Sequence, residues 1–113
     1  MPKSSESDLS RSVQKELVKL GAWVIRLNSG MAKRGARFIR LAEKGTPDLL
    51  VLQKGAAPGF LELKTDTGTV SEDQIAWHER ARSFGINIAV VTSVKQAIET
   101  VKSWVSDKEK NVN

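Results

Sequence analysis

Two short segments constrain this chain more than any other feature. Leu49-Leu-Val-Leu52 is apolar at every position, and Phe60-Leu-Glu-Leu-Lys64 alternates aliphatics with charges. Only the loop Gln53–Gly59 separates them. Runs this short, bounded by turn residues, suit strands rather than helices, and a run apolar on both faces belongs inside a sheet. A hairpin centred on that loop pairs residues whose numbers sum to about 112, with Asp48 opposite Lys64 and diagonal to Glu62. Glu62 and Lys64 then share one face of their strand, while Leu61 and Leu63 point into apolar packing. Two carboxylates and an ammonium are thus expected side by side, with an apolar layer behind them.

The rest of the chain supplies partners for that hairpin. Leu9, Val13, Leu17 and Leu20 recur at helical spacing, predicting a helix over Asp8–Leu20 with Ser7 as N-cap and Gly21 as its stop. Trp23–Leu27 reads as a strand, Asn28–Gly35 as a loop and Arg37–Leu41 as a second short strand. Glu43–Pro47 reads as a turn. Ser71 and Gln74 form a capping-box pattern at the head of a helix that runs to Gly85. Ile86–Val91 is a further strand. Ser93 caps a last helix carrying Val94, Ala97, Ile98, Val101, Trp104 and Val105 on one side. Residues 1–6 and 107–113 read as flexible tails, and the three tryptophans as core fillers. The order is helix, three or four strands, helix, strand, helix, and the 113 residues suit one α/β domain of residues 1–113.

Composition removes several chemistries. No cysteine is present and His78 is the single histidine, so disulfides, thiolate zinc sites, thiol nucleophiles and multi-His metal centres are excluded. No glycine-rich phosphate loop occurs. No apolar run is long enough to span a bilayer, and the opening residues lack the apolar core of a secretory signal. A cytoplasmic protein with no membrane partner is expected, in a bacterial cell or a phage-infected host.

The net charge of +5 is unevenly spread. Residues 1–44 hold ten Lys/Arg against four acids, and residues 45–113 eight against nine. Arg26, Lys33, Arg34, Arg37, Arg40 and Lys44 form a basic stripe opposed only by Glu43. Such a stripe suits a polyanion, because neutralised phosphates release condensed counterions.

Two adjacent carboxylates repel and do not both ionise without a cation. A hard divalent ion, Mg2+ or Mn2+, answers that repulsion with Asp48, Glu62 and the Leu63 backbone carbonyl as ligands, completed by waters and a substrate phosphate. Lys64 would orient the attacking water or the scissile phosphate. Charges at Glu62 and Lys64, mid-strand among large aliphatics, are costly unless they have a task. A surface ion-pair cluster is the plain alternative.

Gly45-Thr46-Pro47-Asp48-Leu49, a loop, and then Glu62-Leu63-Lys64 resemble the PD-(D/E)XK nuclease signature. More narrowly, the chain resembles the virus-type replication-repair nuclease (VRR-NUC) domain and the related archaeal Holliday-junction resolvases, from about Leu9 to Val105. The resemblance implies a restriction-endonuclease-like core, a central mixed sheet flanked by helices in the order α-β-β-β-α-β-α. It also implies a metal-dependent DNA endonuclease that resolves four-way junctions as a homodimer. Asp48, Glu62 and Lys64 match its catalytic set, Glu16 its first-helix glutamate and a further candidate metal ligand, and Gln74 its glutamine on the following helix. Arg26 and Ser29-Gly30 resemble an Arg and a Ser-Gly that follow the resolvases' first strand. With Lys33, Arg34, Arg37 and Arg40 they are the expected DNA contacts. A non-catalytic nucleic-acid-binding module and a restriction-type endonuclease on the same fold are the alternatives.

Overall fold

Leu17, Leu49, Leu61 and Leu63, drawn from one helix and two strands, are all 0–1% exposed, and the fold is organised around their burial. Each buried leucine contributes roughly 1.5–3 kcal/mol. The computed structural model describes residues 6–27, 31–34, 37–40, 43–65 and 68–105, with backbone alone for 31–34 and 37–40. Its elements are α1 (Glu6–Lys19), β1 (Trp23–Arg26), β2 (Met31–Arg34), β3 (Arg37–Arg40), β4 (Leu49–Leu52), β5 (Gly59–Leu63), α2 (Glu72–Ser83), β6 (Asn87–Val91) and α3 (Val94–Ser103).

Strands β1, β4, β5 and β6 form one mixed sheet in that order. The β1–β4 and β4–β5 pairs are antiparallel, and β5–β6 is parallel. Val13 and Leu17 of α1 and Ala97 and Val101 of α3 join Leu49, Val51, Leu61, Leu63 and Val91 in one apolar cluster. The opposite face of β5 meets α2, where Trp77 packs edge-on against Phe60 at 5.0 Å between ring centroids. The expected α/β architecture, a mixed sheet between helices, is the observed one.

Several boundaries differ from the sequence expectation. Helix α1 begins at Glu6, so that residue belongs to the helix rather than to a tail, and Ser7 lies inside the helix instead of capping it. The segment expected as a loop, Asn28–Gly35, contains β2, which pairs antiparallel with β3 from Met31↔Arg40 to Arg34↔Arg37. Only two residues separate these strands in the chain. Backbone pairing across a short connection, not an apolar alternation, defines β2, so periodicity could not reveal it. Among the described residues five strands therefore precede α2, in place of three or four.

Hairpin register is the correction that matters for the site. Leu49 pairs with Leu61, Leu50 with Phe60 and Val51 with Gly59. Extending this by one residue sets Asp48 across from Glu62, not from Lys64. The shift is two residues, so each side chain keeps its expected face.

The tryptophans divide. Trp104, just past α3, packs against the core and lies so close to Gly59 that an added Cβ there would be 2.3 Å from its ring. Trp77 is half-buried against Phe60. Trp23 is 67% exposed on β1, contrary to the core role expected of it.

Candidate active site

The turn before β4 is held from below by α2. Gly45 has φ +90°, and a Cβ there would lie 2.3 Å from the Asp73 carbonyl oxygen. Only glycine combines that backbone with so close an approach. Lys44 pairs with Asp73 at 3.0 Å, and Thr46 N–H donates to the Glu43 carbonyl at 3.1 Å. Pro47 is fully buried. The chain thus enters β4 along a fixed path.

Asp48 is tied to strands on both sides. Its N–H donates to the Leu61 carbonyl at 3.2 Å, and its own carbonyl accepts from Leu27 N–H at 2.8 Å. Its side-chain Oδ2 accepts from Leu63 N–H at 2.7 Å. This last bond aims the carboxylate at β5 and brings the Leu63 backbone, expected as a ligand, alongside it.

Glu62 is the unusual group, a carboxylate only 2% exposed in mid-sheet. Its Oε2 accepts from Gln74 Nε2 at 3.1 Å. Its Oε1 has no hydrogen-bond partner among the described residues. Burial, then the charge of Asp48 and a hydrogen bond with its carboxyl, push the Glu62 pKa up to about 9. The Lys64 ammonium pulls the other way, and the Glu6 carboxylate adds to the rise. Asp48 and Glu62 therefore form an acidic pair that calls for a proton or a cation between them.

Gln74 serves two functions at once. Ser71 Oγ accepts from Gln74 N–H at 3.2 Å, and Gln74 Oε1 accepts from Ser71 N–H at 2.8 Å, completing the expected capping box. The same side chain's amide nitrogen holds Glu62. Lys64 continues from β5, its N–H donating to the Val91 carbonyl at 3.0 Å.

Two residues near Glu62 are not among the expected site residues. Glu6 opens α1, and its Oε2 and Lys64 Cδ both lie 3.4 Å from where a Cβ on Gly68 would be. The acid on α1 whose charge acts on Glu62 is thus Glu6. Glu16, expected in that position, pairs with Lys19 at 3.2 Å with its side chain 37% exposed. It lies ten residues from Glu6, about 15 Å along the helix. A signal for Glu6 was present: residues 6, 13 and 17 fall on one stripe of a 3.6-residue helix, and Val13 and Leu17 are both buried. The second is His78, 3% exposed on α2, whose Nε2 lies 3.6 Å from Glu62 Oε1.

Of the expected DNA contacts, Arg26 is exposed at the end of β1, opposite Leu49 and next to the residue bonded to Asp48. Ser29 lies outside the described residues, as do the side chains of Lys33, Arg34, Arg37 and Arg40, whose backbones form β2 and β3. No helix among the described residues is long and apolar enough to cross a membrane.

The family model for the VRR-NUC domain matches residues 6–95. A solved structure described as a VRR-NUC domain is 26% identical, with a TM-score of 0.66, over 90% of this chain and 99% of that one. Comparison with curated proteins finds no match. The matched span contains the Asp48 turn, β5 with Glu62 and Lys64, and the Gln74 cap, and it begins at Glu6. With most of its length matched, and with a fold that superposes on a member, the chain belongs to the VRR-NUC family of nuclease-type domains.

Proposed function

We propose that this chain is a divalent-metal-dependent endonuclease hydrolysing DNA phosphodiester bonds at four-way junctions, working as a homodimer. Glu62 carries the reading. A carboxylate 2% exposed and facing a second acid is costly unless a cation completes it. Nucleases of the family are generally dependent on divalent metal.

The donor set fits a hard oxygen-seeking ion. Among the described residues no three His, Cys, Asp or Glu side chains gather into a ready-made cluster. Two carboxylates, Asp48 and Glu62, with the Leu63 carbonyl and with water or phosphate oxygens completing the shell, suit Mg2+ or Mn2+ better than a metal needing a full protein cage. Glu6 stands close enough to add charge. The ion would lower the pKa of a bound water and absorb charge on the phosphoryl oxygens. The protein's own residues set the geometry around it. Leu63 N–H fixes Asp48, Gln74 fixes Glu62, and the Lys64 ammonium orients the attacking water or the scissile phosphate. Arg26 at the β1 end, with Ser29, Lys33, Arg34, Arg37 and Arg40, would grip the DNA backbone. A chain this small spans few phosphates, and a two-fold dimer would present two sites to two symmetric strands.

Cleavage assays on four-way junction, flap and linear duplex, with and without Mg2+ or Mn2+, test the reading. Metal-dependent cutting that favours the junction, by a species sedimenting as a dimer, is expected. Binding that is steeply salt-dependent but yields no product with either metal would favour the non-catalytic module instead.

A further inference from the structure

Glu62 Oε1 and His78 Nε2 are two buried polar atoms with no hydrogen-bond partner among the described residues, and they face each other at 3.6 Å. That distance is just beyond a hydrogen bond and leaves no room for a bridging water. Each atom is also closed to bulk solvent. They therefore satisfy each other through a small side-chain movement, or both remain unsatisfied at the centre of the site.

We infer that His78 is a positioning residue whose Nε2–H donates to Glu62 Oε1, so that α2 grips both oxygens of the metal-binding carboxylate. Gln74, one helical turn earlier, already holds Oε2. Residues four apart on a helix share a face, so the two donors approach Glu62 side by side. An imidazole with its proton on Nε2 offers that N–H as a donor, and a carboxylate oxygen accepts it. With one lone pair on each oxygen engaged from α2, the remaining lone pairs are left for the Asp48 side, where the cation would sit.

This inference rests on the metal-dependent reading above, and its test separates the two. Mn2+ uptake without DNA is measured by calorimetry on the full chain and on His78→Leu and His78→Gln. Gln places an amide donor where Nε2 lies, whereas Leu only fills the space. The leucine variant is expected to bind Mn2+ about tenfold more weakly, and the glutamine variant to stay within about threefold of the unaltered chain. Nitrogen-15 spectra of the Mg2+-loaded unaltered chain should place the His78 proton on Nε2, a readout that needs no variant to fold. Full Mn2+ affinity in the leucine variant, equal losses in both variants, or a proton on Nδ1 would overturn the clamp alone. No Mn2+ uptake by the unaltered chain would overturn the metal-dependent reading and the clamp with it.

Discussion

Gln74 Nε2 donates to Glu62 Oε2 at 3.1 Å while the same side chain's Oε1 accepts from Ser71 N–H at 2.8 Å. The cap of α2 and the orientation of the buried carboxylate are therefore one structural element, and damage to either reaches the other. Gln74→Ala should cost about 1 kcal/mol of stability through the lost cap and slow cleavage at least about tenfold. Gln74→Glu keeps an acceptor for Ser71 but sets a like charge against Glu62, so it should retain the helix and lose more activity than the alanine variant. Thermal midpoints and single-turnover rates on the same preparations separate the two effects.

The raised pKa of Glu62 makes stability depend on pH with a definite sign. Between its ordinary value of 4.5 and about 9, the folded chain binds a proton that the unfolded chain has released. Stability from this group is fully present below the lower value and is lost as pH rises through the window. His78, lowered from 6.5 by burial, acts in the opposite sense, but only below that value. From about pH 7 to pH 9 the metal-free chain should therefore lose thermal stability. Glu62→Gln should flatten that slope, and excess Mg2+ should abolish it in the unaltered chain, since a metal-bound carboxylate is ionised in the folded state as it is in the unfolded one. Denaturation midpoints across this range provide the check.

Gly45→Ala should be among the most harmful single-methyl additions in the chain. It meets a backbone carbonyl at 2.3 Å and forces a positive φ on a residue with a side chain. A loss of about 1–3 kcal/mol is expected from the backbone conformation before the clash is added. Because the same turn leads directly into Asp48, cleavage per folded molecule should fall as well. Urea unfolding with parallel rate measurements tests both statements.

Glu6 and Glu16 make opposite predictions. Glu6→Gln removes a charge that acts on Glu62 and should weaken Mn2+ binding and slow cleavage. Glu16→Gln breaks only a half-exposed pair with Lys19, worth about 0.3–0.5 kcal/mol at helical spacing, and should leave cleavage unchanged. Parallel cleavage time courses for the two variants decide between the residues.

The helices and the four strands of the main sheet were legible in the sequence because their burial is written as apolar spacing. Val13 and Leu17 announce α1, and Leu49–Leu52 announce an interior strand. The Ser71–Gln74 cap was legible for the same local reason, since its partners are three residues apart. What could not be read depended on distant geometry. The β4–β5 register is set by how the 53–58 connection folds, and residues 53–58 do not encode where its centre falls. Glu16 was matched to the family's first-helix glutamate from its place between Val13 and Leu20, but Leu20 is 50% exposed and the stripe runs back through Val13 to Glu6. The proximity of His78 to Glu62 joins a helix and a strand sixteen residues apart, with no local pattern to mark it.

The most direct test is Mg2+-dependent cleavage of a four-way junction by the unaltered chain, Asp48→Asn and Glu62→Gln. The asparagine amide keeps an oxygen for Leu63 N–H, so the fold survives while the charge is lost. The unaltered chain should cut with Mg2+ and not with chelator, and each variant should be slower by about a thousandfold, the several kcal/mol expected of lost metal assistance. Undiminished Mg2+-dependent cleavage in either variant would contradict the account.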